Sequence, residues 1–355
     1  MARVERISRR RLLGSAAAAG IALPVLHETV PHDGLHRQLA SASPGGAGAH
    51  GATAGTHGGG NSGPTFKHGD VVDHAANGFN PTEILRDFDY GKARRLPGGR
   101  MLREYELIAE DKEIEVAPGV MYPAWTYNGR VPGPTLRATE GDLMRVRFIN
   151  GSEHPHTIHF HGFHPPEMDG IPEVGGGIIE PGKSFTYEFE AEPVGLHLYH
   201  CHTGPLAEHI ARGLYGTFIC DPKPGRPEAD EMVMVMNGFN TNFDFEGNQV
   251  YAINTVAFHH VNEPIEVKRG ELVRIYLVNA LEFDPINSFH IHGNFFDYYP
   301  TGTKLEPRDF TDTVMLAQAE RGICELRFKF PGEVMFHAHK TEFAELGWMG
   351  FFEVA

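Results

Sequence analysis

Basic residues are in short supply in this 355-residue chain: 31 Lys and Arg face 46 Asp and Glu, a formal net charge of −15. Nucleic-acid binders need basic patches, so that class of partner is excluded, and the charge otherwise bears on solubility alone. Cysteine is scarcer, with three in the chain. Cys201 belongs to a motif described below, which leaves Cys220 and Cys324. These two either pair in an oxidising compartment or stay as buried thiols, since Phe218-Ile219-Cys220 and Ile323-Cys324 read as core strands. Long apolar runs are missing as well. The run from Ala16 to Leu26 is shorter than the ~20 residues of a membrane helix, so no membrane partner is expected. Glycine (42) and proline (25) are plentiful, as suits many short strands joined by turns, and 41% hydrophobic residues can fill a sizeable core.

The N-terminus reads as separate from the fold. Ser8-Arg9-Arg10-Arg11-Leu12-Leu13 ahead of the apolar run resembles a twin-arginine export signal, and Ala40-Ser41-Ala42 offers a cleavage site. Residues 1–42 are thus expected to be a signal peptide, with the rest exported, already folded, to a periplasmic or extracellular location. Residues 43–65 have the Gly, Ala and Ser content of a flexible linker, with His50 and His57 in it. Residues 66–100 read as an arm packed on the first domain, with a short helix opening at Pro81-Thr82-Glu83 and capped by Asn80 or Thr82.

From about residue 101 strand follows strand. Leu143-Met144-Arg145-Val146-Arg147-Phe148-Ile149 and Phe185-Thr186-Tyr187-Glu188-Phe189 alternate as half-buried strands do, with turns at Pro132-Gly133-Pro134 and Pro181-Gly182. The pattern then recurs about 130 residues later. Glu140-Gly141-Asp142 matches Arg269-Gly270-Glu271, His159-Phe160-His161-Gly162 matches His290-Ile291-His292-Gly293, and His200-Cys201-His202 matches His337-Ala338-His339. The chain is expected to be all-β, with two β-sandwiches over residues 101–222 and 228–355. Pro222, Pro224, Gly225 and Pro227 mark the join.

Four His-x-His pairs stand out: His159/His161, His200/His202, His290/His292 and His337/His339. Eight imidazoles exceed one metal's needs and suit a cluster of coppers. Neighbours in extended chain point to opposite sides, so His159 and His161 share a face while His156 lies on the other. At His200-Cys201-His202 two imidazoles face one way and the thiol the other. Cys201 can therefore meet His156 and His209, eight residues on, in the set of one cysteine and two histidines that makes a blue-copper site. The usual weak Met ligand is absent. Leu214 stands five residues after His209, and an apolar neighbour favours Cu(I). In the second half Ala338 replaces the cysteine, Asn287 stands for the first histidine and Glu345 lies near the place of the last, so no thiolate site is expected there. Most other histidines read as bland. His154 and His164 flank the cluster motif, and His259-His260 reads as surface. Met232, Met234 and Met236, alternating with Val233 and Val235, read as one face of a buried strand.

Over about residues 100–355 these motifs resemble the two-domain multicopper oxidases, laccase-like, with the type 1 copper in the first of two cupredoxin-like Greek-key β-sandwich domains. The resemblance implies four coppers per chain. His156, Cys201 and His209 would hold type 1, and His159 and His290 type 2. His161, His200, His202, His292, His337 and His339 would hold the type 3 pair. It also implies a homotrimer with each cluster between the first domain of one subunit and the second domain of the next. Asp169, in Glu167-Met168-Asp169-Gly170, resembles the family's acid near type 2; read alone, it is a turn aspartate before Gly170. Family members often have an acid after the last type 1 histidine, but here Ile210 follows His209 and Glu208 precedes it.

The implied partners are dioxygen and small one-electron donors such as phenols, oxidised at the edge of His209 while Cys201 leads to the cluster ligands. A metallo-oxidase acting on Cu(I) or Fe(II) is the alternative; it needs Met or carboxylate groups near His209, and only Glu208 is evident. A copper nitrite reductase, with two coppers per chain, is disfavoured by the four complete His pairs.

Overall fold

The alternation read in residues 143–149 becomes the strand Leu143–Asn150, whose even-numbered residues are buried. It pairs in parallel with the long strand Met101–Ala117 and antiparallel with Ser184–Glu190. In this computed structural model, which describes residues 71–355, that sheet is one layer of the first sandwich. The other layer runs Phe88–Asp89, Thr135–Thr139, Tyr215–Asp221, Gly195–His200, His159–Phe160. The expected signal peptide and linker lie outside the described residues. Among the described residues no helix is long and apolar enough to cross a membrane.

The second sandwich repeats the plan. One sheet orders Val250–Ile253, Asp230–Phe239, Val273–Asn279, Arg321–Leu326, Phe296–Pro300 and Asp309–Thr311. The other orders Ile265–Val267, Met349–Val354, Gly332–His337, Ile286–Ile291 and Thr313–Ala317. The duplication extends to register. His159 is paired with His200, which is paired with Tyr215. His290 is paired with His337, which is paired with Met349. The fold is therefore all-β, two sandwiches of one design.

Each sandwich has its own core, and a third apolar cluster joins them. The strand Asp230–Phe239 shows how. Met232, Met234 and Met236 fill the second core, while Val233 and Val235, on the opposite side, meet Leu196, Leu198 and Ile219 of the first sandwich. The methionines are core, as read from the alternation. Cys220 and Cys324 are free, buried thiols in different cores, so the disulfide does not form.

The arm departs from expectation. Phe88–Asp89 and Lys92–Arg95 do add to the two sheets of the first sandwich. The short helix Pro81–Ile84, capped by the Asn80 side chain on Thr82 N, leads instead to the second: Leu85 lies in its core and accepts from Val233 N–H. Arg86 forms a bidentate pair with Asp230. Alternating polarity could not reveal this, because a short segment that bridges two cores has apolar residues with no single period.

A polar network spans the same join. The Arg137 guanidinium bonds to both Asp221 and Glu231, and Glu231 also accepts from Arg274 and Tyr276. Burial raises the Glu231 pKa, but the bonds from Arg137 and Tyr276 and the charge of Arg137 outweigh it and hold the group at about 2. Glu231→Gln leaves Arg137 and the buried Arg274 short of a counter-charge and is expected to lower unfolding stability at neutral pH by about 3 kcal/mol. Because the folded-state pKa is depressed, the advantage of the wild type is whole above about pH 4.3, the ordinary glutamate value, and shrinks as pH falls towards 2. Urea titrations of both proteins at several pH values measure this.

Candidate metal centre

Cys201 follows the strand Gly195–His200, held by a hydrogen bond from its N–H to the Leu214 carbonyl. His156 is fixed by a two-way backbone bridge to Ile179, and His209 rides on the helix Leu206–Ala211. The expected histidine-bearing strand is short: only His159–Phe160 pairs, and His156 joins through that isolated bridge. The faces still separate as alternation requires. Nδ1 of His156 and Nδ1 of His209 are 3.1 Å apart, and Cys201 Sγ lies 3.3 Å from His209 Nδ1 and 3.8 Å from His156 Nδ1. Such a triangle fits three ligands around one ion at bond lengths of ~2.0–2.3 Å.

All three are buried. Burial, with the neighbouring His209, pushes the His156 pKa down to about 3. Burial, opposed by Glu208, brings His209 to about 4. Both imidazoles therefore keep a lone pair for a metal. Burial raises the Cys201 thiol, and a bound cation would reverse that. Sγ already accepts from Thr157 N–H at 3.5 Å. His156 Nε2 bonds to Ser152 Oγ, which in turn donates to Asp111 Oδ1 at 2.8 Å, so the ring is held from behind. Leu214, fully buried in the same core as Cys201, donates its N–H to the His209 carbonyl at 3.3 Å.

The other face carries the paired histidines, twice over. His159 Nδ1 donates to the Asp169 carbonyl at 2.8 Å, and His290 Nδ1 to the Asp312 carbonyl at 3.0 Å. His200 Nδ1 donates to the Cys201 carbonyl at 2.9 Å, and His337 Nδ1 to the Ala338 carbonyl at 2.7 Å. A carbonyl only accepts, so these contacts fix the proton on Nδ1 and leave Nε2 bare. Nε2 of His161 and of His200 lie 3.2 Å apart; those of His292 and His337 lie 3.0 Å apart. Burial lowers the pKa of His161 to about 3 and of His200 to about 4, and moves His159, His292 and His337 the same way. His202 packs 5.5 Å from the His159 ring, and His339 lies 5.2 Å from that of His290. Eight imidazoles thus form two faces of four, with ring nitrogens crowded together. A soft or borderline cation fits that donor set. Among the described residues, no group of ligating atoms within 4.8 Å joins the two faces in one chain.

The second sandwich has no counterpart of the thiol site. Ala338 is buried among Phe336, Phe343 and Trp348, and Tyr251 stacks on Phe343 with ring centroids 3.9 Å apart. Glu345 ends the helix Thr341–Glu345, the equivalent of the one that carries His209, and Asn287 is buried.

Asp169 follows the turn Pro166–Met168, and its carboxylate is 3.1 Å from His159 Nδ1 and 3.7 Å from His164 Nε2. Gly170 is required there: a Cβ would stand 1.8 Å from the Ile158 carbonyl oxygen.

A surface cavity of about 750 Å³ opens beside His209. Trp125, its ring 4.7 Å from that of His209 and 4.6 Å from that of His154, forms a wall, with Arg212 over the indole. Glu208 is not the lone carboxylate near His209: Asp111, Glu113 and Glu153 line the cavity as well. These residues stand 40 or more positions before His209 in sequence, so only the fold assembles them. His259 and His260, read as surface, are both buried.

Sequence models described as "Multicopper oxidase" match residues 109–225 and 226–355. A crystal structure of a multicopper oxidase is 62% identical, with a TM-score of 0.79 over 80% of this chain and all of that one. The blue copper oxidase of Nitrosomonas europaea is 31% identical, with a TM-score of 0.65 over 71% of this chain and 86% of its own. The copper-containing nitrite reductase of Neisseria gonorrhoeae is 32% identical over 253 residues, 64% of this chain and 62% of that protein's length. With a thiol site, two imidazole faces in matching register and family models over both halves, this chain, whose histidine and cysteine groups suit copper, belongs to the multicopper oxidase family.

Proposed function

We propose that the protein is a laccase-like oxidase that couples one-electron oxidation of phenolic or similar small reductants to four-electron reduction of dioxygen to water. The observation that carries this reading is the doubled imidazole face. Eight paired histidines, apart from His156, Cys201 and His209, exceed what one further copper uses. Four coppers per chain account for them: type 1 at His156, Cys201 and His209; type 2 at His159 and His290; and a type 3 pair at the remaining six histidines. When bound, the coppers supply the redox chemistry, turning dioxygen, four electrons and four protons into two waters.

The chain's own residues set the conditions. The cavity beside His209 admits a reductant and lays it against Trp125. Burial keeps water from Cys201. Successive peptide bonds tie Cys201 to His200 and His202, the shortest covalent link between the two faces. The Asp169 and Asp312 carbonyls hold His159 and His290 in the tautomer that bares Nε2. The Asp169 carboxylate, 3.1 Å from His159 Nδ1, is the acid that stands beside the oxygen-reducing side in this reading. The two faces stay apart within a chain while His292 and His339 lie exposed, so each half-site calls for another copy. A head-to-tail contact that closes as a homotrimer satisfies both. Export by the twin-arginine route, to the periplasm or beyond, is part of the same proposal.

A second reading, a metallo-oxidase acting on Cu(I) or Fe(II), draws on the four carboxylates around the cavity. The likeness to a nitrite reductase supplies a third, which two coppers per chain would favour. The deciding measurement is copper per chain in loaded protein, together with oxygen uptake. Four coppers and four donor electrons consumed per dioxygen support the oxidase; two coppers with turnover of nitrite overturn it. Comparing kcat/KM for a phenol and for Fe(II) separates the first two readings.

Cys201→Ser is expected to lose the blue absorption and one copper per chain, and to fall to background activity, while the other coppers remain; elemental analysis and visible spectra check this. Leu214→Met is expected to lower the type 1 potential by adding a weak axial ligand. An unchanged or higher value in a redox titration counts against the placing of Leu214 beside that copper.

A further inference from the structure

Away from both copper-ligand faces, three ligating side chains meet where the N-terminal arm crosses the second sandwich. His74 opens the short helix His74–Asn77. His259 opens the helix His259–Asn262, and Glu263, four residues on, ends it. One ligand atom from each of the three lies within 4.8 Å of the others. The rings of His74 and His259 stand edge to face with centroids 4.8 Å apart. His259 Nε2 is 3.6 Å from Glu263 Oε2.

One member of this group is unsatisfied among the described residues. His74 Nδ1 is buried and has no hydrogen-bond partner among the described residues. The His259 side chain is 3% exposed, and burial, aided by His260 and His74, keeps its imidazole neutral. The Glu263 carboxylate therefore faces a neutral ring and makes no ion pair. Thr82 Oγ1, from the arm, lies 2.7 Å from His259 Nε2 and 3.4 Å from Glu263 Oε2, so its hydroxyl can turn to the carboxylate when Nε2 is taken.

We propose that His74, His259 and Glu263 form a further metal site, which takes a borderline divalent cation such as Zn²⁺ and fastens the N-terminal arm to the second sandwich. Two imidazoles and one carboxylate are a donor set zinc accepts, with water completing four-coordination. The carboxylate offsets part of the cation's charge. The arm that carries His74 pairs with the first sandwich's sheets from Phe88 onward, so the ion would link a third segment to the join between domains. Binding to the folded state alone would raise stability by mass action.

The test uses the copper-loaded full chain. Wild type, His74→Ala and Glu263→Gln are equilibrated with Zn²⁺, desalted, and assayed for zinc and copper by elemental analysis. His74 is half-buried and Glu263 exposed, so neither change empties a core. The wild type is expected to retain about one more zinc per chain than either variant, at equal copper, and to gain thermal stability from Zn²⁺ that both variants lack. Diffraction at the zinc absorption edge should place a peak between His74 and His259. Equal zinc in all three proteins, or a peak elsewhere, overturns the proposal. Equal copper throughout keeps this outcome separate from the reading of the copper sites.

Discussion

Everything chemical in this protein depends on the alternation of side chains in extended chain. At His200-Cys201-His202 one thiol and two imidazoles must leave the backbone on opposite sides. The thiol side is the interior of a sandwich, where Tyr199 and Leu214 share the core with Cys201. The imidazole side is the outer face of the sheet, on which Leu196 and Leu198 are covered by the second sandwich. One strand thus holds an enclosed thiol on one side and paired imidazoles on the other, joined by two peptide bonds.

Desolvation does the rest of the preparation. Imidazoles withdrawn from water resist protonation, and carbonyl acceptors at Nδ1 choose which nitrogen keeps its lone pair. The carbonyl acceptor recurs at His159 and His290, and at His200 and His337, in strands whose register repeats between the sandwiches. At Ala338, which stands where the first sandwich has its cysteine, aromatic packing fills the interior and only the outer face carries histidines. The duplicated fold therefore carries one thiol site and two imidazole faces.

The join between the sandwiches is held by two kinds of contact of different reach. Valines and leucines from both sides form a shared apolar layer, which is insensitive to pH. The Arg137–Glu231–Arg274 network adds charge that must stay paired, and so ties the join to the ionisation of Glu231. The arm crosses this region with apolar residues in two cores and with polar contacts to the second sandwich.

Much of this was legible in residue order, because the relevant information is local. Periods of two mark strands, His-x-His marks a shared face, and a recurrence at about 130 residues marks the duplication. The sequence by itself determined the all-β class, the thiol and imidazole sets and the loss of the second thiol site. The burial of Met232, Met234 and Met236 was legible in the same way. Tertiary structure alone decided the rest. It set Cys220 and Cys324 in separate cores, buried His259 and His260, sent Leu85 into the second core, and gathered Asp111, Glu113 and Glu153 around His209. The physical reason is one of range. Which face a side chain takes is settled by its neighbours in the chain, whereas what it meets there depends on segments tens to hundreds of residues away, which only packing brings together.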